Sequence, residues 1–233
     1  MHIDERDGLR VYRFDTVPAF VTTRRDGLDL SLTSRPEHAP RLLKAYGLPA
    51  DAVWCRQVHS DVVARVDAPQ LVDGADALIT DTTDLPLCVI MADCVPVVLH
   101  DPVRHALGLA HAGWQGTVAR IASTTVRAMV EHFGTDPAHV VAAIGPSIGP
   151  DEYEVGEDVV TRARAAYGDA APILHSDGKT YFDLWAANEH DLRSAGVTQI
   201  EVAGLSTARH LDDFYSHRVA RDTGRFATIA TLR

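Results

Sequence analysis

Short apolar runs, broken by Gly, Pro and Asp, dominate the middle of the chain. Three of them follow one another closely at 87–91, 95–99 and 106–110. Runs of this length without polar alternation are typical of strands that are buried on both faces. We therefore predict three core strands here, with Cys94 in the break between the first two and His111 directly after the third.

A helical period of apolar positions marks four other segments. The strongest covers 117–133, where we predict Thr117 as the N-cap and Gly134 as the end of the helix. Three further helical patterns, each ending at a Gly or followed by one, lie at 35–47, 156–167 and 183–195.

Shorter apolar or alternating segments predict the remaining strands. They lie at 11–23, 53–58, 62–66, 74–80, 140–144, 200–203 and 226–232. Strands outnumber helices and several are adjacent in sequence, which favours a mixed sheet over a doubly wound array of β-α-β units. The predicted fold class is α/β, a mixed-sheet layered sandwich, and we expect all 233 residues to form one domain.

The composition narrows the classes of function. A net charge of −10 argues against nucleic-acid binding, which needs a basic surface stripe, although a local pocket of Arg can still bind a small anion. No segment has the roughly 20 apolar residues that span a bilayer, and the charged N-terminus lacks the apolar core of a signal peptide. Three cysteines, an odd number, suit a reducing compartment. We expect a cytoplasmic protein without membrane or nucleic-acid partners.

His59, Cys94 and His111 are the candidate metal ligands. Each lies beside a predicted strand end, and the loops that follow strand ends commonly carry binding and catalytic residues. One thiolate and two imidazoles suit Zn²⁺ with a fourth position left open, and such a site activates water at neutral pH. Taken singly, Cys94 is better explained as a buried apolar residue and each histidine as a hydrogen-bonded structural residue. Asp93, next to Cys94, is the candidate proton-transfer group.

Three loops carry candidate binding groups. The turn at 111–117 leads into the long predicted helix, where free N–H groups favour an anion. The Gly- and Pro-rich loop at 145–150 offers Ser147. The polar stretch before the last strand places aromatic rings near Arg218 and Arg225, which suit a phosphate and a base or ribose. Ordinary tight turns and a solvated charged hairpin explain these loops at least as well.

Six motifs then follow one another along the chain. They are QVHSDVV, GADALIT, MADCVPVVLHDP, AHAGWQGT, AAIGPSIGPDEYEVG and FYSHRVARDTGR. This series resembles the YfiH family, whose members are also described as laccase-domain proteins, multicopper polyphenol oxidases or peptidoglycan editing factors, and which includes purine nucleoside phosphorylases. The resemblance implies a layered α/β fold shared with the catalytic domain of cytotoxic necrotizing factor toxins. It also implies Zn²⁺ bound by His59, Cys94 and His111.

The same resemblance implies phosphorolysis of adenosine, inosine, guanosine and methylthioadenosine, with deamination of adenosine at the same site. The chain departs from the family pattern at several positions. Gln115 stands where the family usually has Arg in HAGWRG, Ser206 replaces the Cys of a Cys-Thr pair, and His217 changes the usual Ser-Tyr-Arg-Arg. The segment after Thr23 is shortened, and this part is expected to help close the nucleoside pocket. The three metal ligands are intact.

Four functions fit these residues. The leading hypothesis is a zinc-dependent purine nucleoside phosphorylase with adenosine deaminase activity, with copper as the alternative metal. The second is a metal-free hydrolase of a peptidoglycan-precursor amide, with Cys94 as nucleophile and His111 as base. A copper polyphenol oxidase is less favoured, because none of the 12 histidines forms a His-x-His pair for a trinuclear cluster. The last is a zinc-stabilised binding protein without turnover.

The leading hypothesis assigns a role to each candidate residue, with purine nucleosides and phosphate as the partners. Cys94, His111 and Asp93 are the catalytic candidates. The candidate substrate contacts, chosen as guanidinium or hydroxyl groups in the loops described above and in the turn after Thr23, are Arg24, Ser147, Arg218 and Arg225.

Overall fold

The computed structural model describes residues 1–221 and 223–233. Its strands are β1 (His2–Arg6), β2 (Leu9–Arg13), β3 (Ala19–Thr22), β4 (Val53–Arg56), β5 (Val63–Arg65), β6 (Leu71–Asp73), β7 (Ala77–Thr80), β8 (Leu87–Met91), β9 (Val95–Asp101), β10 (Ala106–Ala112), β11 (Val141–Ile144), β12 (Ile173–Ser176), β13 (Lys179–Phe182), β14 (Gln199–Val202) and β15 (Phe226–Ala230). Its helices are α1 (Arg35–Ala45), α2 (Trp114–Val118), α3 (Ile121–Phe133), α4 (Glu157–Tyr167), α5 (Leu184–Ser194) and α6 (His217–Ala220), with short 3₁₀ turns at Arg25–Gly27, Pro137–His139 and Gly168–Ala170.

Two mixed sheets hold most of the strands. The first sheet has the order β1-β2-β3-β15-β8-β4-β6, the second has the order β14-β11-β9-β10-β7-β5, and β12 and β13 form a separate hairpin. β4 is parallel to both of its neighbours, and the pairs β5–β7 and β11–β14 are also parallel. The other pairs are antiparallel. The prediction of mixed sheets is confirmed.

The two sheets pack face to face, and helices cover their outer faces. Leu87 and Val89 of β8 belong to the core between the sheets, together with Val98 of the second sheet. The intervening Cys88 and Ile90 pack on the opposite side, in the cluster that includes α1. A third cluster joins the outer face of the second sheet to α3, α4 and α5. Because β8 is buried on both faces, its sequence is a continuous apolar run, and the layered sandwich is confirmed.

The predicted helix at 117–133 is wrong at its start. α2 begins at Trp114 and ends at Val118, and α3 begins only after Arg120, whose φ is +64°. Thr117 therefore lies inside α2 and is not an N-cap. Arg120 Nη1 donates to Asp191 Oδ1 at 2.6 Å, a tertiary contact with α5 that accompanies the left-handed conformation. The break escaped prediction because apolar positions on both sides of it keep a helical period.

Several short strands were not predicted. β1, β6 and the hairpin β12–β13 carry mostly exposed or partly exposed side chains, so their sequences lack an apolar pattern. The single strand predicted at 11–23 is in fact two antiparallel strands, β2 and β3, with Pro18 in the connection. Within the described ranges, no helix has the length and apolar character needed to cross a membrane.

Candidate metal centre

The register of two strands brings Cys94 and His111 together. β9 and β10 are antiparallel, with Val95 opposite Ala112 and Pro96 opposite His111. Cys94 directly precedes β9, so it lies beside the end of β10. The ligating atoms of Cys94, His111 and His59 all lie within 4.8 Å of one another. The convergence that the sequence only suggested is present in the structure.

Asp76 lies behind both histidines. It is completely buried at the start of β7, which pairs with β10. Its Oδ1 lies 2.9 Å from Nδ1 of His111; a carboxylate can only accept, so Nδ1 carries the proton and Nε2 is left as the ligating atom. The same carboxylate accepts the backbone N–H groups of Val58, His59 and Ser60 at 3.1, 3.0 and 2.7 Å. One side chain thus orients His111 and holds the loop that carries His59.

Close packing fixes the positions of His59 and Cys94. Nε2 of His59 lies 3.8 Å from Sγ of Cys94, and the His59 ring meets the His111 ring edge-on at 5.0 Å between centroids. A Cβ added to Gly113 would lie 2.7 Å from Cδ2 of His59 and 3.1 Å from Sγ of Cys94. Real Cβ atoms essentially never come as close as 2.7 Å and seldom as close as 3.1 Å, so a side chain at position 113 would displace His59 or Cys94.

The charged groups of the cluster shift one another's pKa values towards the charged forms. Burial raises the pKa of Cys94, but the neighbouring His111 and His59 outweigh burial and lower this pKa to about 6. Burial lowers the pKa of His111, but the Cys94 charge and the bond to Asp76 outweigh burial and raise this pKa to about 9. Burial also raises the pKa of Asp76, yet hydrogen bonds from His111 and Ser60 bring it below its ordinary value. The cluster therefore favours a thiolate at neutral pH.

These residues fit a metal ion. Three soft or borderline donors converge, and a carboxylate behind one imidazole fixes its tautomer, which is the usual arrangement behind a metal-ligating histidine. Three protein ligands with open volume on one side match a catalytic zinc site better than a closed structural one. A single mononuclear site is what this set of donors can hold.

The larger of two cavities that meet at the cluster has a volume of about 380 Å³. Its lining includes all three ligand residues and three basic side chains, Arg56, His217 and Arg225. Leu32 also lines it, because the segment after Arg24 folds against the last strand, where the Leu30 N–H donates to the Arg225 carbonyl at 2.8 Å. The shortened N-terminal segment therefore still forms a wall of this cavity.

The smaller cavity has a volume of about 140 Å³ and also borders the cluster. His59 and Cys94 line both cavities. The remaining lining of the smaller cavity is mostly aromatic or apolar and consists of Asp93, Trp114, Gln115, Ile148, Tyr153 and Leu184. The cluster therefore borders a basic cavity and a mostly aromatic and apolar one.

Asp93 lies next to the cluster but is engaged in holding the loop. It is 8% exposed, its φ is +87°, and Oδ1 accepts from Thr207 Oγ1 at 2.7 Å. Oδ2 accepts from the backbone N–H of Arg218 at 2.7 Å. Both oxygens are thus bonded within the protein, which favours a role in positioning Cys94; the proton-transfer role of Asp93 stays a prediction.

The four predicted substrate contacts lie in different places. Arg225 lines the larger cavity, and the Arg218 guanidinium lies 4.7 Å above the ring of Tyr153, at the edge of the smaller one. The Arg24 guanidinium lies 4.4 Å from the Tyr215 ring centroid. Ser147 is completely buried, and its hydroxyl accepts from Nε1 of Trp185 at 2.6 Å. Asp222, in the FYSHRVARDTGR motif, lies outside the described residues.

The prediction from sequence assigned no role to four residues of this site. Asp76 was visible only as an acidic residue just before a buried strand in GADALIT, and nothing in its spacing ties it to His111. Trp114 and Tyr153 appeared in recognised motifs without an assigned role. His217 departs from the family pattern, yet its side chain lines the larger cavity.

Comparison with known proteins gives the family. The model of the family described as "Multi-copper polyphenol oxidoreductase laccase" matches residues 36–233. A Deinococcus radiodurans protein named purine nucleoside phosphorylase is 41% identical over 223 residues, covering 90% of this chain and 85% of that protein. The Escherichia coli K12 protein named purine nucleoside phosphorylase YfiH is 34% identical over 199 residues, covering 84% and 80% of the two chains.

Solved structures agree in fold. The Bacillus licheniformis hypothetical protein YfiH superposes with a TM-score of 0.87 at 31% identity, covering 92% of each chain. YlmD from Geobacillus stearothermophilus superposes with a TM-score of 0.86 at 31% identity, covering 92% of this chain and 91% of its own. With the family model spanning most of the sequence, the chain belongs to the YfiH family of laccase-domain proteins.

Proposed function

We propose that the chain is a zinc-dependent purine nucleoside phosphorylase that acts on adenosine, inosine, guanosine and methylthioadenosine and also deaminates adenosine. The observation that carries this proposal is the cluster of His59, Cys94 and His111, backed by Asp76 and placed where a basic and an aromatic cavity meet. The names of the relatives supply the reaction class.

His59, Cys94 and His111 would hold the metal. Zinc fits one thiolate and two imidazoles, and copper is the alternative because it accepts the same ligands. A bound metal of this kind supplies a Lewis acid and lowers the pKa of water. The chain's own part is to present Nε2 of His111 through its bond to Asp76 and to keep Cys94 as the thiolate.

In phosphorolysis, the basic lining of the larger cavity would bind phosphate. Arg guanidinium groups bind phosphate through paired hydrogen bonds, and Arg56 and Arg225 line this space together with His217. A phosphate oxygen then forms a bond to C1′ as the C1′–N9 bond breaks, which yields ribose 1-phosphate. The electron pair of the broken bond stays with the purine, which takes up a proton and leaves as the free base.

Adenosine deamination would use the same cluster with a different reacting carbon. Water oxygen adds at C6 of the purine, and the amino group leaves as ammonia. For this reaction the chain must hold C6 beside His59 and Cys94 and keep bulk water out of the smaller cavity. Its buried apolar wall, which includes Ile148 and Leu184, suits that role.

The test is product analysis with purified protein. We expect adenosine plus phosphate to yield adenine and ribose 1-phosphate, and adenosine without phosphate to yield inosine, both resolved by chromatography. His59→Ala should abolish both products. As a control, His175→Ala changes an exposed histidine of β12 and should leave the yield of both products unchanged. Full turnover in His59→Ala would overturn the proposal.

A second function, metal-free amide hydrolysis, is favoured by one observation. The neighbouring His111 and His59 lower the pKa of Cys94 to about 6 although burial raises it. A thiolate beside an imidazole can act as a nucleophile with an adjacent general base. This function predicts that a chelator leaves activity on a peptidoglycan-precursor amide intact. The phosphorylase proposal predicts that a chelator removes nucleoside turnover and that zinc restores it.

We further propose one domain and a cytoplasmic location. One domain is supported by the core between the two sheets, which both sheets share. A reducing compartment is supported by the three cysteines, all of which are free.

A further inference from the structure

Tyr153 differs from most tyrosines of this chain. Of the six, Tyr12, Tyr46, Tyr167 and Tyr215 each donate a hydrogen bond from the hydroxyl to a protein oxygen. Within the part of the chain that the structure describes, the hydroxyls of Tyr153 and Tyr181 make no such bond. Tyr181 lies on the β12–β13 hairpin, whereas Tyr153 lines the smaller cavity beside Cys94. The Tyr153 hydroxyl is therefore free to donate a hydrogen bond to a ligand in that cavity.

The Tyr153 ring is held from several sides. Its backbone N–H donates to the Gly149 carbonyl at 3.2 Å, and its carbonyl accepts from the Phe182 N–H at 3.1 Å. Arg218 covers one face of the ring, and Nη1 of Arg218 donates to the Glu154 carbonyl at 2.5 Å. The hydroxyl is therefore presented by a rigid support, which is a requirement of a binding group.

The rest of the smaller cavity suits a flat aromatic ligand. Trp114 contributes a second ring, itself covered by the Arg162 guanidinium at 5.7 Å. Buried Ile148 and Leu184 complete an apolar lining. Stacking on aromatic side chains is the common way in which proteins bind a nucleic-acid base. A volume of about 140 Å³ leaves the sugar and phosphate to the larger, basic cavity.

We propose that the smaller cavity binds the purine base and that the Tyr153 hydroxyl donates a hydrogen bond to a ring nitrogen of that base. This assignment rests on the proposed function and specifies how the nucleoside is oriented for phosphorolysis. Because His59 and Cys94 line both cavities, a base in the smaller one and a phosphate in the larger one place the glycosidic bond at the cluster. Burial raises the pKa of Tyr153 even though Arg218 lowers it, so the hydroxyl keeps its proton at neutral pH.

The test compares Tyr153→Phe with Tyr181→Phe in the zinc-loaded protein. Both variants lose only a hydroxyl, and both should keep the wild-type metal content. We expect Tyr153→Phe to raise the Kd of adenosine, measured by calorimetry, by about 3- to 10-fold, the range for one hydrogen bond. Tyr181→Phe should leave this Kd unchanged. KM for adenosine in phosphorolysis should rise with Kd, while the KM for phosphate stays constant.

Three analogues identify the acceptor. The 1-deaza, 3-deaza and 7-deaza forms of adenosine each lack one ring nitrogen. We expect one of these analogues to bind wild type as weakly as adenosine binds Tyr153→Phe. The same analogue should bind Tyr153→Phe with the same affinity as it binds wild type, because the hydrogen bond is already absent. An equal loss from Tyr153→Phe for adenosine and all three analogues would overturn the assignment, because it would indicate a general change in the cavity.

Binding and turnover separate this proposal from the proposed function. If wild type binds adenosine in this Tyr153-dependent way but forms no product with phosphate, the phosphorylase proposal fails and the base assignment stands. If wild type forms product and Tyr153→Phe leaves Kd and KM unchanged, the base assignment fails and the phosphorylase proposal stands. If wild type does not bind adenosine, both fail.

Discussion

Asp76 and Asp191 are both completely buried, yet they do different things. Asp76 accepts hydrogen bonds from His111 and from three backbone N–H groups, and its pKa lies below the ordinary value although burial alone would raise it. Asp191 accepts from Arg120 at 2.6 Å and from the Tyr167 hydroxyl at 3.0 Å, and burial holds its pKa above the ordinary value. Equal burial thus gives opposite shifts in pKa.

The surroundings explain the difference. The Tyr167 hydroxyl also lies 2.8 Å from the Thr117 carbonyl oxygen, and Arg120 donates to the Ala166 carbonyl, so the Asp191 network links α2, α4 and α5. Neither cavity of the metal centre borders Asp191. The hydrogen bonds of Asp76 end instead on His111, a candidate metal ligand that lines the larger cavity. A buried charged residue therefore indicates a functional site when candidate ligand residues and an accessible cavity lie next to it.

The largest effect is expected from Gly113→Ala. The new Cβ would lie 2.7 Å from His59 and 3.1 Å from Cys94, so at least one ligand must move. Zinc affinity should fall by more than the roughly 10- to 100-fold typical of losing a residue behind a ligand. A competition assay with a chelating dye measures this fall. An unchanged affinity would show that the ligand positions tolerate a shift, and the described packing would be wrong.

The two aspartates can be compared directly as Asn variants. Asp76→Asn should lower zinc affinity by about 10- to 100-fold, because the carboxylate that fixes the His111 tautomer is lost. Asp191→Asn should leave zinc affinity unchanged and lower the free energy of unfolding by about 1–3 kcal/mol, less than for a fully buried pair because Arg120 is 33% exposed. Dye competition and urea unfolding check the two values. Equal zinc affinity in both variants would contradict the different roles of Asp76 and Asp191.

Zinc affinity should also depend on pH in a way that Asp191 does not influence. Binding requires the Cys94 thiolate and neutral His111, and the pKa values of this pair are about 6 and about 9. Zinc therefore displaces the one proton that Cys94 and His111 still hold between them at neutral pH. Zinc affinity should rise by about tenfold per pH unit between the two pKa values and level off above the higher one. Calorimetry in buffers of different ionisation enthalpy counts the released proton. A flat profile would contradict the thiolate–imidazolium pair.

The smallest effect is expected at the basic cavity. Arg56→Ala should raise the KM for phosphate by about 2- to 10-fold, since one partly solvated guanidinium contact is lost. The KM for the nucleoside should change less. Arg41→Ala, which changes an α1 arginine bonded to the Asp7 carbonyl, is the matched control and should change neither value. A shift in nucleoside KM alone would place the base, not the phosphate, in the larger cavity.

The strand core could be predicted from sequence because β8 to β10 are buried on both faces, which leaves continuous apolar runs at 87–91, 95–99 and 106–110. The break at Arg120 could not, since a left-handed residue that bonds to Asp191 leaves no mark in the helical period. Polar edge strands such as β1 also lack a pattern.

The candidate site could also be predicted only in part from the sequence. His59, Cys94 and His111 could each be placed beside a predicted strand end from the sequence, and the resemblance to the family implied that they bind one metal ion. Asp76 could not be connected to them, because its contact with His111 depends on the pairing of β7 with β10. Tyr153 and Trp114 likewise become neighbours of the cluster only through the packing around the smaller cavity.

The most direct test of the account is the metal content of protein purified without added metal, measured by mass spectrometry for wild type, Cys94→Ala and Cys88→Ala. Cys88 is a completely buried packing residue and serves as the matched control. We expect one zinc per chain in wild type and in Cys88→Ala, and none in Cys94→Ala. Equal zinc in Cys94→Ala and wild type, or no metal in any of the three even after incubation with zinc, would contradict this expectation.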